Sequence, residues 1–221
     1  YNGNKPWIKP DVLELNNYFE VGERYRDYYT ARSLRGLSQL DVFSSIKPIF
    51  KEVDSQDLNH YLIDVHYICT PSKKQSLAFD TRFTTTSGLM GVNGSINYVN
   101  KNIFRGAEKL TVSIGGGFET QTLVFNDNDE NTSFPFNTLE FGPNVQLEIL
   151  GLTPFPPAAL SKRHRARTVI SVGYNYETRS IFERQVFQLN YLWKFFVNKT
   201  QIFQLGLPGV SVIKLVNIKK N

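Results

Sequence analysis

The sequence predicts an α+β module followed by an antiparallel β-sheet that forms part of a transmembrane β-barrel, and three observations lead there. Apolar residues recur at helical spacing up to about residue 40 and two strands follow; from Gln75 onward the period changes to two and stays there; and the charge balance changes at the same place. Residues 1–73 hold 9 Lys and Arg against 10 Asp and Glu, whereas residues 74–221 hold 16 against 10. The join falls near Thr70-Pro71-Ser72-Lys73-Lys74, a polar stretch whose proline interrupts regular structure. Two parts, 1–73 and 74–221, suit a 221-residue chain at roughly 150 residues per domain.

Composition removes several classes. A mean hydropathy of -0.30, with no apolar run near the ~18 residues that a membrane helix needs, excludes a helical membrane protein. Cys69 is the single cysteine, so no internal disulfide can staple the fold. Hydrophobic residues at 41% and aromatics at 14% are too abundant for a disordered chain. The opening YNGNKPW carries no visible export signal.

In the first part Pro10 suits the first position of a helix, and Val12, Leu15 and Phe19 follow on one face, with Gly22 as its end. A second helix is expected from Arg26 to Leu40, with Ala31, Leu34, Leu37 and Leu40 as its apolar stripe and Gly36 weakening it by about 1 kcal/mol relative to Ala. Strands are expected from Ser44 to Val53 and from Tyr61 to Thr70, joined by the polar turn Asp54-Ser55-Gln56-Asp57. Helix, helix, strand, strand is an α+β order.

Six alternating strands then follow. Leu77, Phe79, Thr81 and Phe83 oppose Ala78, Asp80, Arg82 and Thr84, and the same alternation recurs around Ile96, Ile114, Val145, Val172 and Leu189. These strands are longer than the usual 5 to 6 residues and approach the about 9 to 11 that a tilted strand needs to cross a bilayer. Tyr174, Tyr176, Tyr191 and Trp193 fall near strand ends, as an interfacial girdle would require. Six or seven strands fall short of the roughly eight of the smallest membrane barrel, so either partner strands come from elsewhere or the chain is a piece of a longer one, the reading its abrupt end favours.

Catalytic chemistry is not expected. His60, His66 and His164 are scattered, and no metalloprotease, nucleophile-elbow or phosphate-loop motif occurs, so no catalytic, cofactor or metal site is assigned and the chain reads as a non-enzyme. Gly115-Gly116-Gly117 marks a bend or a close backbone approach inside a strand. Asn126-Asp127-Asn128-Asp129-Glu130 reads as a solvated loop rather than a calcium loop. Lys162 to Arg167 reads as a charged loop at a membrane surface, and no nucleic-acid partner is expected.

The run from Gly88 to Leu110 carries the most specific signal. Tyr98, Asn100, Asn102, Phe104, Gly106, Ala107 and Glu108 spell Y-x-N-x-N-I-F-x-G-A-E, which resembles the first barrel hairpin of the Omp85 outer-membrane assembly proteins. Gly22 to Tyr25, Leu34 to Leu37, Leu40 to Phe43 and Ile63 to Val65 resemble the last of that family's periplasmic POTRA modules, lacking most of its first strand, for which only Tyr1 to Ile8 remain. Ala166 to Tyr176 and Phe187 to Trp193 resemble Bacteroidetes-type members. The family barrel has sixteen strands and a late lumenal loop with an Arg-containing motif, and this chain contains neither the later strands nor that loop.

The resemblance implies a non-enzymatic role in assembling or translocating proteins at the bacterial outer membrane, with the first module in the periplasm. Implied partners are unfolded outer-membrane protein clients, membrane lipid, and accessory lipoproteins or other periplasmic proteins. Carried over, the client-pairing or lateral-seam strand is Gln75, Ser76, Leu77, Ala78, Phe79, Asp80, Thr81, Arg82 and Phe83, continuing to Thr85, with exposed main chain as its template. Asp80 and Arg82 on one face guard such an edge against casual aggregation. Ser44 to Val53 is the edge strand of the module, with Pro48 removing one donor. Two other readings stay open: a soluble β-rich binding module, either a sandwich or an open sheet whose apolar face packs on the helices, and a related pore for secretion or lipid transport.

Overall fold

The computed structural model describes residues 6–53, 62–86, 89–121, 138–155, 166–179, 182–196 and 201–218. Among the described residues the chain is mostly antiparallel β-sheet with two short helices, and the long sheet is not closed. The order is α1 (Pro10–Asn16), α2 (Asp27–Ser38), then β1 (Phe43–Val53) and β2 (Leu62–Pro71), which form an antiparallel ribbon of their own. The long sheet follows as a meander: β3 (Gln75–Thr86), β4 (Leu89–Asn100), β5 (Lys109–Gln121), β6 (Thr138–Leu150), β7 (Arg167–Arg179), β8 (Phe182–Phe196), β9 (Ile202–Gly206) and β10 (Val210–Ile218).

β9 and β10 lie end to end along one edge of β8, so the sheet is seven strands wide. Three residues, Leu207 to Gly209, span a gap that two residues of β8 fill, which makes a bulge where Pro208 and Gly209 interrupt the ladder. Each strand runs opposite to its neighbour in the sheet, so β3 and β9/β10, the two open edges among the described residues, run in the same direction.

α1 starts at Pro10 as expected but ends at Asn16, well short of Phe19 and Gly22. The Asn16 amide donates back to the Val12 carbonyl, and the Asn17 Oδ1 accepts from the Phe19 N–H. Such local side-chain bonds compete with the helix and stop it. Ser33, fully buried on α2, accepts the Tyr18 N–H at 2.9 Å and so docks the departing chain. Gly22 has a positive φ of 83°, but it serves a later turn.

On α2 the buried stripe is Thr30, Ser33, Gly36 and Leu37, continuing to Leu40, one position away from the expected Ala31 and Leu34; Ala31 is exposed. Gly36 is the reason for the rotation. A Cβ there would stand 3.1 Å from the carbonyl oxygen of Asn16. The glycine that weakens the isolated helix is thus what lets α1 lie against it. Residues 6–9 form no strand, and 1–5 lie outside the described residues, as does the turn Asp54 to Asp57.

A single apolar core joins the module to the sheet. Ile8, Val12, Leu37, Leu40 and Val42 pack with Ala107 from the β4–β5 turn, and Leu150 at the end of β6 packs against them. Tyr67 on β2 faces this region. Burial holds its hydroxyl above the usual tyrosine range, only partly offset by the nearby Ser33 hydroxyl, and no partner lies at normal hydrogen-bond distance.

Two outcomes are expected. Gly36→Val should lower unfolding stability by about 1–3 kcal/mol through overpacking, although Val exceeds Gly in helix propensity; chemical denaturation followed by circular dichroism reads it, and undiminished stability would refute the described α1–α2 contact. Because the folded Tyr67 holds its proton more tightly than the unfolded chain does, its contribution is complete below about pH 10 and declines as pH rises through the folded value. Tyr67→Phe should flatten that alkaline decline in a pH series of melting temperatures.

Candidate functional site: faces, edges and the anchored turn of the long sheet

The ladder partners sort the long sheet into two faces. Phe79, Ile96 and Ile114 lie side by side, as do Leu77, Tyr98, Val112, Val145, Val172, Leu189 and Val210 across all seven strands. The helices do not cover this face: Phe79 is 69% exposed, Phe83 77%, Ile114 44% and Phe141 49%. Contiguous apolar exposure on this scale marks an interaction surface.

The apolar band does not follow the hydrogen-bonded rows. At the end remote from the module, Phe83, Val92, Phe118 and Leu139 occupy a row that continues as Thr178, Glu183 and Asn217 on the later strands. At the module end, Gln75 and Asn100 close the band on β3 and β4, whereas β8 and β9 carry it on through Trp193 with Leu205 and Phe195 with Phe203. The band drops by roughly four to six residues, about 13–20 Å, across six interstrand spacings of about 4.8 Å, a slope of roughly 25–35°.

The other face is polar. Ala78, Asn97, Ser113, Asn144, Gly173, Gln188 and Ser211 form one row across all seven strands without a charge. A hollow of about 600 Å³ on this face is lined by Asp80, Arg82, Asn93, Ser95, Gly115 and Glu140 among others. The triple glycine has the close-approach role expected of it: the Asn93 side chain crosses Gly117, 1.8 Å from where a Cβ would stand, and Gly116 would meet the Glu140 carbonyl at 3.0 Å.

Charges on the polar face pair within and across strands. Glu177, 1% exposed, binds Arg179 and Arg184; Glu148 takes Arg167 at 3.2 Å and Lys194 at 3.7 Å. None of these pairs was visible to sequence reasoning; the β7–β8 register sets Glu177 opposite Arg184. Arg167 corrects the expectation of a charged loop at its position: it begins β7 and its guanidinium also donates to the Gln39 carbonyl of the module. Lys162 to Arg165 and Asn126 to Glu130 lie outside the described residues, as do His60 and His164, and His66 is exposed on β2.

Gln75 to Phe83 do form an open edge. β3 pairs with β4 alone among the described residues, with Gln75, Leu77, Phe79, Thr81 and Phe83 toward the apolar side and Ser76, Ala78, Asp80 and Arg82 toward the polar side. Asp80 accepts a 2.9 Å hydrogen bond from Asn97.

The hairpin motif converges into a buried turn. Asn102, 1% exposed, donates to the Trp7 carbonyl at 2.8 Å and accepts the Ala107 N–H at 3.0 Å; its own N–H is taken by Asn100 Oδ1. Glu108 Oε2 accepts the N–H groups of Gly106 and Phe104. Asn100 also holds the Tyr98 hydroxyl, and Arg105 and Ala107 adopt positive φ angles of 66° and 58°. Phe104 alone of the motif points away, 58% exposed. The Lys9 N–H donates to the Arg105 carbonyl, and Lys101 pairs with Asp41 at 2.9 Å, so this turn fastens the module to the sheet.

Of the expected girdle, Tyr191 and Trp193 pack edge to face at the module end, and both donate to the Thr153 carbonyl, with Phe155 against Trp193. Tyr176 lies toward the remote end, but Tyr174 sits opposite Phe187, further inside the strand than expected. Among the described residues no helix is long and apolar enough to cross a membrane, and no cluster of His, Cys, Asp and Glu is arranged to hold a metal. No protein-family model matches the chain, and no curated protein matches it.

Asn102→Ala should cost about 1–3 kcal/mol, because it strands the buried Ala107 N–H and Trp7 carbonyl. Limited proteolysis should then cut faster near Ser72 to Lys74. Asn102→Asp should be worse than Ala, since it sets a carboxylate against the Trp7 carbonyl; equal cleavage of all three proteins would sink the anchoring role.

Proposed function

We propose that the chain is a piece of an Omp85-type outer-membrane protein, a POTRA-like module of residues 1–73 followed by strands of a transmembrane barrel, acting without catalysis in the assembly or translocation of other outer-membrane proteins. The module lies in the periplasm, lipid contacts the apolar face, unfolded clients pair at the β3 edge from Gln75 to Phe83, and accessory lipoproteins or periplasmic proteins are its further partners.

The observation that carries this reading is the obliqueness of the apolar band. A bilayer is a slab of fixed orientation, so strands tilted across it must display a band that climbs from strand to strand by the tilt angle. The slope of roughly 25–35° approaches the about 35–45° of transmembrane barrels. The extent agrees as well, since a strand of 12 residues spans about 40 Å, or about 33–36 Å along the bilayer normal at that slope, enough for a hydrocarbon core of about 30 Å. A soluble sheet would need a cover for this face, and the two described helices pack elsewhere.

In hydrocarbon, unpaired main-chain groups cost several kcal/mol each, so the two edges need partners. Because β3 and β9/β10 run the same way, they cannot join as antiparallel neighbours. An odd number of further strands restores the even count of bacterial barrels.

The test is insertion into vesicles of phosphatidylcholine, read by flotation and by protection of the strands from protease. Insertion is expected for the unmodified protein. Ile114→Arg on the apolar face should reduce it, at about 2–4 kcal/mol for a site near the bilayer midplane, whereas Ser113→Arg on the opposite face should leave it largely intact. If the protein stays monodisperse without lipid or detergent and both variants behave alike, the soluble reading replaces this one.

A further inference from the structure

We propose that the junction between module and sheet is a binding surface for anionic phospholipid headgroups. The inference rests on the reading of the sheet as membrane-inserted, and it identifies the lipid class met at the module side of the bilayer.

Four cations gather where the apolar band ends on β3 and β4. Lys73 and Lys74 immediately precede Gln75, the last position of the band, and both are exposed. The Lys74 carbonyl accepts the Lys101 N–H, and the Arg105 carbonyl accepts the Lys9 N–H, so main-chain bonds hold the linker, the β4–β5 turn and the start of α1 together. Lys101 is neutralised by Asp41. Lys9, Lys73, Lys74 and Arg105 remain.

The local carboxylates do not cancel them. Glu108 sits inside the turn, buried and engaged with the Gly106 and Phe104 N–H groups. Asp41 is spent on Lys101, and Asp11 on α1 stands against the four. In the same turn Phe104 is exposed, between the half-buried Ile103 and Arg105. A ring that enters the headgroup layer with cations around it, continuous with an apolar band, is the arrangement that recruits anionic lipid. The charge complementarity selects phosphate-bearing headgroups of net negative charge over zwitterionic ones.

The experiment compares association of the whole chain with vesicles of phosphatidylcholine alone and of phosphatidylcholine mixed with phosphatidylglycerol, at low and high salt. The expected result is about tenfold or more in favour of the anionic vesicles, shrinking as salt screens the charges. The triple variant Lys73→Gln, Lys74→Gln, Arg105→Gln should bring that ratio to within about twofold, while Lys73→Arg with Lys74→Arg keeps it. A control with the same loss of charge elsewhere, Lys47→Gln, Lys51→Gln, Arg24→Gln, should retain most of the preference. Circular dichroism of every variant guards against loss of fold. Insertion into both vesicles with no anionic preference, or equal loss in the triple variant and the control, overturns the headgroup site and leaves the barrel reading standing. Failure to insert into either overturns both.

Discussion

Every main-chain N–H and C=O in the long sheet must find a partner, and the rest of the structure is arranged around that requirement. Among the described residues, five of the seven strands are paired along both edges, which leaves the outer edges of β3 and β9/β10 open. In water an open edge is tolerable; against hydrocarbon it is not. The proposed membrane setting and the proposed client pairing at β3 are therefore two aspects of one constraint, because the same unsatisfied groups that forbid a bare edge in lipid provide the template for another strand.

The β4–β5 turn shows the constraint at small scale. Its strained backbone, with positive φ at two residues other than glycine, survives because Asn102 and Glu108 supply the hydrogen bonds that the ladder no longer can. Asn102 extends the network to Trp7, and Ala107 enters the apolar core of the helical part. Arg167 adds a third attachment on the polar face through Gln39. Module and sheet thus share a core and a polar network, although charge and periodicity divide them at residue 73.

Much of the architecture was legible because a strand's period of two is a local property. The faces of all six alternating strands and a special role for the triple glycine are visible in residue order alone, whereas the edge position of Gln75 to Phe83 came only from the resemblance. The α1 end and the α2 stripe were not legible. Asn16 and Asn17 stop the first helix by bonds to Val12, Phe19 and Ser33, and Gly36 rotates the second by admitting α1. Those effects depend on which helix lies beside which. The motif residues were picked out by resemblance, but their job of binding Trp7 across 95 positions of sequence could not be read from spacing.

By itself the sequence determined which side chains of each strand share a face, since alternation follows from covalent geometry and needs no neighbour. Only the tertiary structure decided the register that sets Glu177 against Arg184, the burial of Asn102 and Glu108, and the slope of the apolar band across the strands. Each of these depends on how one strand is placed along the next, and hydrogen bonds between distant segments fix that placement.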